Sequence, residues 1–446
     1  MTIQSLVRRV SAAAVLLVAP MSEAGAETLQ DALAVAYSTN PTIRAERARL
    51  KATEELKAQA WAGALPIIEA QGSYSQVKDT QSLNPSVFGM GGTQTSKLQP
   101  LTAAVTAEQP IFTGFRNLNA IRQAKARVRA GGAQLAGVEQ DILRRVATAY
   151  FDVARDGTIY DSNLNNVEVL LRQRQEAELR FKVGEVTRTD VSQAEARLAG
   201  ARANLAGAQA QLAVSRSLYA ELVGAPPGTL EPDPSLPDLP ESMDSAQDLA
   251  RAYAPVVVGA REQEEASRRQ ISIAKGALAP TVSLTAAYQY AEEPSTFLNS
   301  DETLSYGVRA KVPLFTGGLN RSRIREARAL HDSARAQVVE AERRAEAEVT
   351  AAWEQLIAAR MTIESASAQV SANELALEGV RREAQVGTRT TLDVLDAEQE
   401  LLNAEVRLAN AERDARVAAF SLLAAAGVLN PDAIGIDAAS ILPKED

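Results

Sequence analysis

Hydrophobic positions along this chain recur with two different periods, and the switch between them lays out the elements. From Ala194 the series Ala194, Leu198, Ala201, Leu205, Ala208, Leu212, Ser215, Tyr219, Leu222 advances by fours and threes. That is a heptad seam with small residues at alternate layers. The same steps recur through Ala397, Leu401, Ala404, Leu408, Ala411, Ala415, Ala418, Leu422 and Ala425. Arg, Glu and Gln fill the positions between, so the remaining faces of these helices are wet. Four shorter segments alternate with period two. Leu304, Tyr306, Val308, Ala310 and Val312 oppose Ser305, Gly307, Arg309 and Lys311; Val282, Leu284, Ala286, Tyr288 and Tyr290 oppose Ser283, Thr285 and Gln289. Leu101, Ala103, Val105 and Ala107 oppose Thr102, Thr106 and Glu108, and Ile68, Ala70 and Tyr74 oppose Glu69, Gln71, Ser73 and Ser75. Each predicts a strand with one face suited to lipid and the other to water.

Proline placement sets the helix lengths, because an interior proline costs a helix about 3 kcal/mol. None lies between Pro110 and Pro226, or between Pro313 and Pro431, so two blocks of 115 and 117 residues can be helical almost throughout. Each is interrupted once, at Val183-Gly184 and at Val386-Gly387, where glycine offers the left-handed geometry that ends a helix. The run from Arg116 to Lys182 extends roughly 100 Å at 1.5 Å per residue. No single-domain core holds a helix that long, so it must pack against others of its own kind.

The blocks are copies of each other. PIFTG at Pro110 to Gly114 recurs as PLFTG at Pro313 to Gly317, Asp190 as Asp393 and Tyr150 as Trp353, each 203 positions on. Upstream, Leu65-Pro66 recurs as Ala279-Pro280. A unit of helix, strand, strand, long helix, turn, helix accounts for residues 27–223 and again for 246–426. Residues 224–245, with six prolines from Pro226 to Pro240, form a stiff linker between the copies. The tail over 427–446 has similar character, and both are expected to wrap the helical body at one level.

The strands pair as two hairpins through polar loops near 79–99 and 292–301. GMGGTQTSK at Gly89 to Lys97 fails the Walker spacing and precedes no helix, so it is an external loop rather than a phosphate cradle. A four-stranded sheet leaves two open edges, and unsatisfied backbone groups in hydrocarbon are expensive, so other copies must close it. Two or three protomers, giving eight or twelve strands, meet that need. A small sheet packed on a soluble core fits the alternation as well.

Charge and chemistry narrow the function. Arg8 and Arg9, the apolar run Ala12 to Ala19, and Ala24-Gly25-Ala26 make residues 1–26 a signal peptide, with the mature chain starting at Glu27. The whole chain carries a net charge of −9, which argues against a nucleic-acid partner. Beyond residue 26 no apolar run approaches the ~20 residues of a spanning helix. There is no cysteine, and His331 is the one histidine. Disulfides, thiolate metal sites, a His-based triad and a multi-His zinc site are therefore excluded, and no cofactor is expected. His331 itself is expected to be a solvated surface residue.

Several separated motifs resemble one family, the TolC-like outer-membrane factors. They are TLQDALAVAYSTNPTIRAERARL from Thr28, ATAYFDV at Ala147 to Val153, FKVGEVTRTDV at Phe181 to Val191, PLFTGG at Pro313 to Gly318, and VGTRTTLDVLDAE at Val386 to Glu398. The resemblance spans essentially the whole mature chain. It implies a mixed α and β fold: a homotrimer whose four strands per chain make a twelve-stranded outer-membrane barrel, continued by a long periplasmic helical coiled-coil barrel, with internal duplication. It also implies a passive exit duct for efflux or type I secretion, docked by a periplasmic adaptor and an inner-membrane transporter of RND or ABC type.

The resemblance assigns residues at the periplasmic tip. Asp393 and Asp396 resemble the acidic ring of the closed entrance, where three copies would gather six carboxylates, favour cations and be blocked by multivalent ones. The competing reading makes Asp393 the N3 acid of a capping box begun by Thr390, and Asp396 a solvated first-turn acid. Arg389 resembles the family's latch arginine, with Thr189 and Asp190 at its partner positions. Ala384 stands where the family archetype has a latch tyrosine, so part of that network is missing or rebuilt. Val183-Gly184 and Val386-Gly387 correspond to the tips presented to the adaptor, or are plain turns. A periplasmic adaptor or a trimeric stalk without a pore shares the leader and heptads, but needs no duplicated strand pairs.

Overall fold

The computed structural model describes residues 26–83, 92–295 and 298–436. The expected leader, apart from Ala26, and residues 437–446 of the tail lie outside them. Eight helices are described: α1 (Leu29–Thr39), α2 (Pro41–Ala62), α3 (Arg116–Lys182), α4 (Arg188–Val223), α5 (Met243–Tyr253), α6 (Pro255–Gly276), α7 (Leu319–Gln385) and α8 (Thr391–Ala425). Six strands accompany them: β1 (Ile67–Tyr74), β2 (Val77–Leu83), β3 (Gly92–Leu98), β4 (Leu101–Phe112), β5 (Thr281–Ser295) and β6 (Leu298–Lys311).

Helices α3 and α7 each run 67 residues, and both ends repeat at the displacement of 203 seen in the sequence. Upstream the displacement becomes 214, since Leu29 matches Met243 and Pro41 matches Pro255. The extra residues of the first copy therefore lie in its strand region. Where one upstream helix per copy was expected, the structure has two. Asn40 and Ala254 are both extended at ψ 124°, because a following proline disfavours the helical conformation. Pro41 and Pro255 then open the next helix, where their missing N–H is harmless.

These breaks let helices meet end to end. Asn40 Nδ2 donates to Leu222 O at 3.0 Å and Thr39 Oγ1 to Val223 O at 3.3 Å, so the start of α2 satisfies the last carbonyls of α4. In the second copy Gly427 ends α8 at φ +75°, and a Cβ there would lie 2.5 Å from Ala254 N. No other residue fits between α8 and α6. Each copy thus offers one unbroken rod, α3 or α7, beside one jointed rod, α4 with α2 or α8 with α6.

The main sheet is antiparallel throughout in the order β1-β4-β5-β6. The helices inherit that order, with α2 packed on α3, α3 on α6 and α6 on α7. The sheet therefore continues directly into a helical wall. Strands β2 and β3 form a second, two-stranded sheet that extends the first hairpin. This corrects the loop expected at 79–99: Gly92 to Lys97 of the glycine-rich stretch is strand, and only 84–91 lies outside the described residues. Thr80 faces Thr95 with hydroxyls 3.3 Å apart, a polar cross-strand pair that erases the period-two signal. The second loop is likewise shorter than 292–301, since β5 and β6 reach Ser295 and Leu298. Both β1 and β6 pair on one side only, and every residue of each is exposed in the single chain.

The largest core lies midway along the rods. Tyr150, Phe151, Tyr219, Phe420 and Leu143 are buried there with Leu429, Ile434 and Ile436 of the tail. Leu230 and Leu239 of the proline-rich segment pack on the same cluster, which thus joins the described parts of the two segments. Glu27 is stapled into this core. Tyr150 Oη donates to Glu27 O at 2.9 Å and accepts from Glu231 N at 3.0 Å; Tyr219 Oη donates to Glu27 Oε1, and Gly228 N donates to Oε2 at 2.8 Å. Burial pushes the Tyr150 phenol up to about 12 and raises that of Tyr219 as well. His331 is not solvated as expected: its Nε2 lies 2.6 Å from Glu264 Oε1, between α7 and α6.

Candidate functional site at the helical tips

Each long hairpin turns in the same way. Gly184 and Gly387 adopt φ +79° and +82°, conformations that glycine reaches without strain. Their N–H groups bond back to Phe181 O and Ala384 O. The valine before each glycine stands out from the turn, Val183 at 72 % and Val386 at 76 % exposure. Two apolar side chains thus stand largely exposed at the apex of two polar hairpins.

The next helices begin with matching capping boxes. Asp393 Oδ2 accepts from Thr390 N and Thr390 Oγ1, each at 2.8 Å, while Asp393 N donates to Thr390 Oγ1 at 3.2 Å. Asp190 makes the same three bonds with Thr187. The bonds from Thr390 hold the Asp393 carboxyl below its ordinary value, with the Arg389 charge acting in the same direction. The capping reading of Asp393 therefore describes this chain well, and it leaves an ionised carboxylate at the tip.

Arg389, Thr189 and Asp190 are not brought together within one chain. Arg389 Nε bonds Glu383 Oε2 at 2.9 Å, a partner on its own hairpin, and this carboxylate raises the guanidinium's pKa. Thr189 is exposed beside Asp190 on the other hairpin. Asp396 reaches across to Arg197 of α4 in an ion pair. Sequence reasoning missed Arg197, because a partner 199 positions away leaves no periodic trace. It also missed Glu398, which is buried at 8 % exposure and accepts from Arg381 and, at 3.2 Å, from Gln173 Nε2. Between the hairpins, near their tips, lies a cleft of about 390 Å³ lined by Arg172, Arg180, Arg381, Glu176 and Ala384, among others.

A chain that carries four membrane-suited strands on top of four rods roughly 100 Å long is one share of an outer-membrane channel with a periplasmic extension. It is the exit duct of an efflux or secretion route. It belongs to the outer membrane efflux protein family, whose description matches residues 32–225 and 247–428. The chain is 32 % identical to the outer membrane efflux protein BepC of Brucella suis over 94 % of its own length and 89 % of BepC. It is 25 % identical to the outer membrane protein TolC of Vibrio cholerae, covering 91 % of this chain and 92 % of TolC. Among solved structures, the outer membrane protein VceC of Vibrio cholerae superposes with a TM-score of 0.75 at 24 % identity, covering 90 % and 96 % of the two chains. The fold is that of trimeric channels, in which three four-stranded sheets make a twelve-stranded barrel. No helix among the described residues is long and apolar enough to cross a membrane. A poreless adaptor or stalk does not account for this family and fold.

Proposed function

We propose that this channel is a passive conduit, without catalysis, that serves a tripartite pump or type I secretion system and is gated at its periplasmic tip. In this reading the Val183-Gly184 and Val386-Gly387 turns dock a periplasmic adaptor, which joins the channel to an inner-membrane transporter of RND or ABC type. The observation that carries it is the pair of exposed valines, one at the apex of each hairpin. Apolar knobs set on rigid turns suit a partner of complementary helical ends. Asp393 and Asp396 form the acidic constriction, with Asp393 supplying its lasting charge while Arg197 compensates Asp396. Arg389, with Thr189 and Asp190 opposite, forms the latch once neighbouring copies bring the hairpins together. Within one chain Arg389 pairs with Glu383, a bond that opening and closing would exchange.

The test replaces both valines, Val183→Asp with Val386→Asp, in cells lacking the native channel. The double variant should reach the outer membrane as a trimer, yet fail to restore export and fail to co-purify with an adaptor. Full restoration of export removes the turns from docking.

A further inference from the structure

Where the sheet hands over to the long rods, both repeats run without an acid. No Asp or Glu lies between Glu108 and Glu139, or between Glu302 and Glu326, in a chain with 56 acidic residues. The tops of α3 and α7 therefore form a basic collar on a protein of net charge −9. Helix contacts show which way it faces. Toward α6, Gln123 Nε2 donates to Ala266 O at 3.0 Å; toward α2, Asn117 Nδ2 donates to Gly63 O, and Gly131 lies against Leu50. At 3.6 residues per turn, Arg122 and Lys125 fall on the wider arc between these two directions, the outer side of a curved wall. Helix α7 is set in the same rotation, because Asn320 Nδ2 donates to Ala277 O at 3.2 Å as Asn117 does to Gly63 O. Arg325 and Arg328, 203 positions after Arg122 and Lys125, face outward too, with Arg321 one turn above. Arg127 and Arg323 fall on the narrower, inner arc. The five outer residues are exposed and form no salt bridge among the described residues. Lower on the same face, Arg129 is already tied to Glu262. Directly above stand exposed apolar side chains, Ile111 and Phe115 in the first repeat and Leu314 and Phe315 in the second, the last two at 93 % and 89 %.

We propose that this outer face binds the phosphate groups of anionic phospholipids in the leaflet that borders the periplasm. The apolar rim meets the acyl region, while the long basic side chains reach back from the helices to the headgroups. Depth supports this. At 1.5 Å per residue, Arg321 lies about 3 Å below the start of its helix, Arg122 and Arg325 about 9 Å, and Lys125 and Arg328 about 14 Å. The unpaired bases thus end where a headgroup layer ends. An acidic cell-wall polymer also offers anions at the outer face, but it gives the apolar rim nothing to enter, whereas a channel placed in the outer membrane sets rim and bases beside lipid. Each basic group close to such a surface favours an anionic lipid by roughly fivefold at low salt, and salt screens the effect. The inference depends on the outer-membrane location and not on how the helical tips work.

Trp61 reports on this boundary. It stands 54 % exposed at the end of α2, and the chain's one other tryptophan, Trp353, lies about 50 Å down α7. The experiment places the full-length trimer in phosphatidylcholine vesicles carrying brominated phosphatidylglycerol or, at equal mole fraction, brominated phosphatidylcholine, and reads the quenching of Trp61 by bromine. In the native protein the anionic lipid should quench at a roughly fivefold lower mole fraction, and the preference should fade at about 0.5 M salt. Gln at Arg122, Lys125, Arg325 and Arg328 together should abolish it, and Lys at the three arginines should keep it. Arg127→Gln with Arg323→Gln, which takes charge from the inner face, should leave it unchanged. Equal quenching by the two lipids in the native protein, or the same loss in the inner-face variant, overturns the proposal. If the fourfold Gln variant does not assemble, the native preference and its salt dependence still decide. Binding to purified peptidoglycan by the native protein but not by the fourfold variant, with no lipid preference, would give the face to the cell wall instead.

Discussion

Helices α3 and α7 have the same length and the same place in their repeats, yet their surroundings differ. Within one chain α3 buries Tyr150, Phe151, Ile142, Leu143 and polar Asp156, among twenty positions. Helix α7 buries ten, chiefly the alanines Ala327, Ala334, Ala341, Ala345, Ala352 and Ala366. The difference is one of position. Helix α3 lies between α2, α4, α6 and α8, whereas α7 packs on α5, α6 and α8 and follows the fully exposed β6. Leu330, Met361 and Leu375 on α7 stay 57 %, 65 % and 71 % exposed. The first repeat thus completes a core inside the chain, and the second leaves a side to be completed by the next copy. Duplication supplied equal parts; the linker, the tail and Glu27, all gathered on the first copy's core, made them unequal.

That contrast can be broken most forcefully at the matched aromatics. Tyr150→Ala should destabilise the protein by about 3–5 kcal/mol, as for other buried aromatics, because it empties the core and removes the hydroxyl that bridges Glu27 and Glu231. Trp353→Ala, at the half-buried equivalent in α7, should cost about half as much. Denaturant midpoints of the purified protein measure both, and equal losses would show that the repeats are equally packed.

The helix junctions sharpen the comparison next. Gly427→Ala should cost about 2–4 kcal/mol, since a left-handed φ and a backbone clash with Ala254 act together. At Gly224 the nearest atom to an added Cβ is Thr39 Oγ1 at 3.8 Å, so Gly224→Ala should cost about 1–2 kcal/mol from the conformation alone.

The smallest effects on stability, with the clearest effect on function, belong to the two capping acids. Asp190→Asn and Asp393→Asn should each weaken a helix cap only slightly, while only Asp393→Asn should weaken trivalent-cation block of single channels. The depressed Asp393 pKa sets the pH dependence. Its folded value lies below the unfolded one, so its contribution is complete above the ordinary carboxylate value of 3.8 and is lost only as pH falls through the lower folded value. The stability that the Asp393 cap supplies should therefore be unchanged from neutral pH to about pH 5, as denaturant midpoints measure, and a fall in that range that Asp393→Asn abolishes would contradict the assignment.

Much of the architecture could be read before any coordinates. The absence of interior prolines marked out the two blocks that hold the long helices, and the offset of 203 located both tips and both capping acids. The split of the upstream helix was available in Pro41 and Pro255, but the continuing run of charged and small residues on either side concealed it. Strands β2 and β3 could not be read, because Thr80, Thr95 and Ser96 put polar groups where alternation needs apolar ones. The tip was legible as far as local chemistry extends: Thr390 and Asp393 are three residues apart and cap one another. Arg197, Gln173 and Glu398 were not, since their bonds depend on how two hairpins lie side by side.

All of these contrasts assume that β1 and β6, each paired on one side only, find partners in other copies. Native mass spectrometry of the protein extracted from outer membranes in detergent tests that assumption most directly. A mass of three mature chains, resistant to dilution, is the predicted result. A stable single chain recovered from the periplasm without detergent would contradict the channel and everything assigned to its tip.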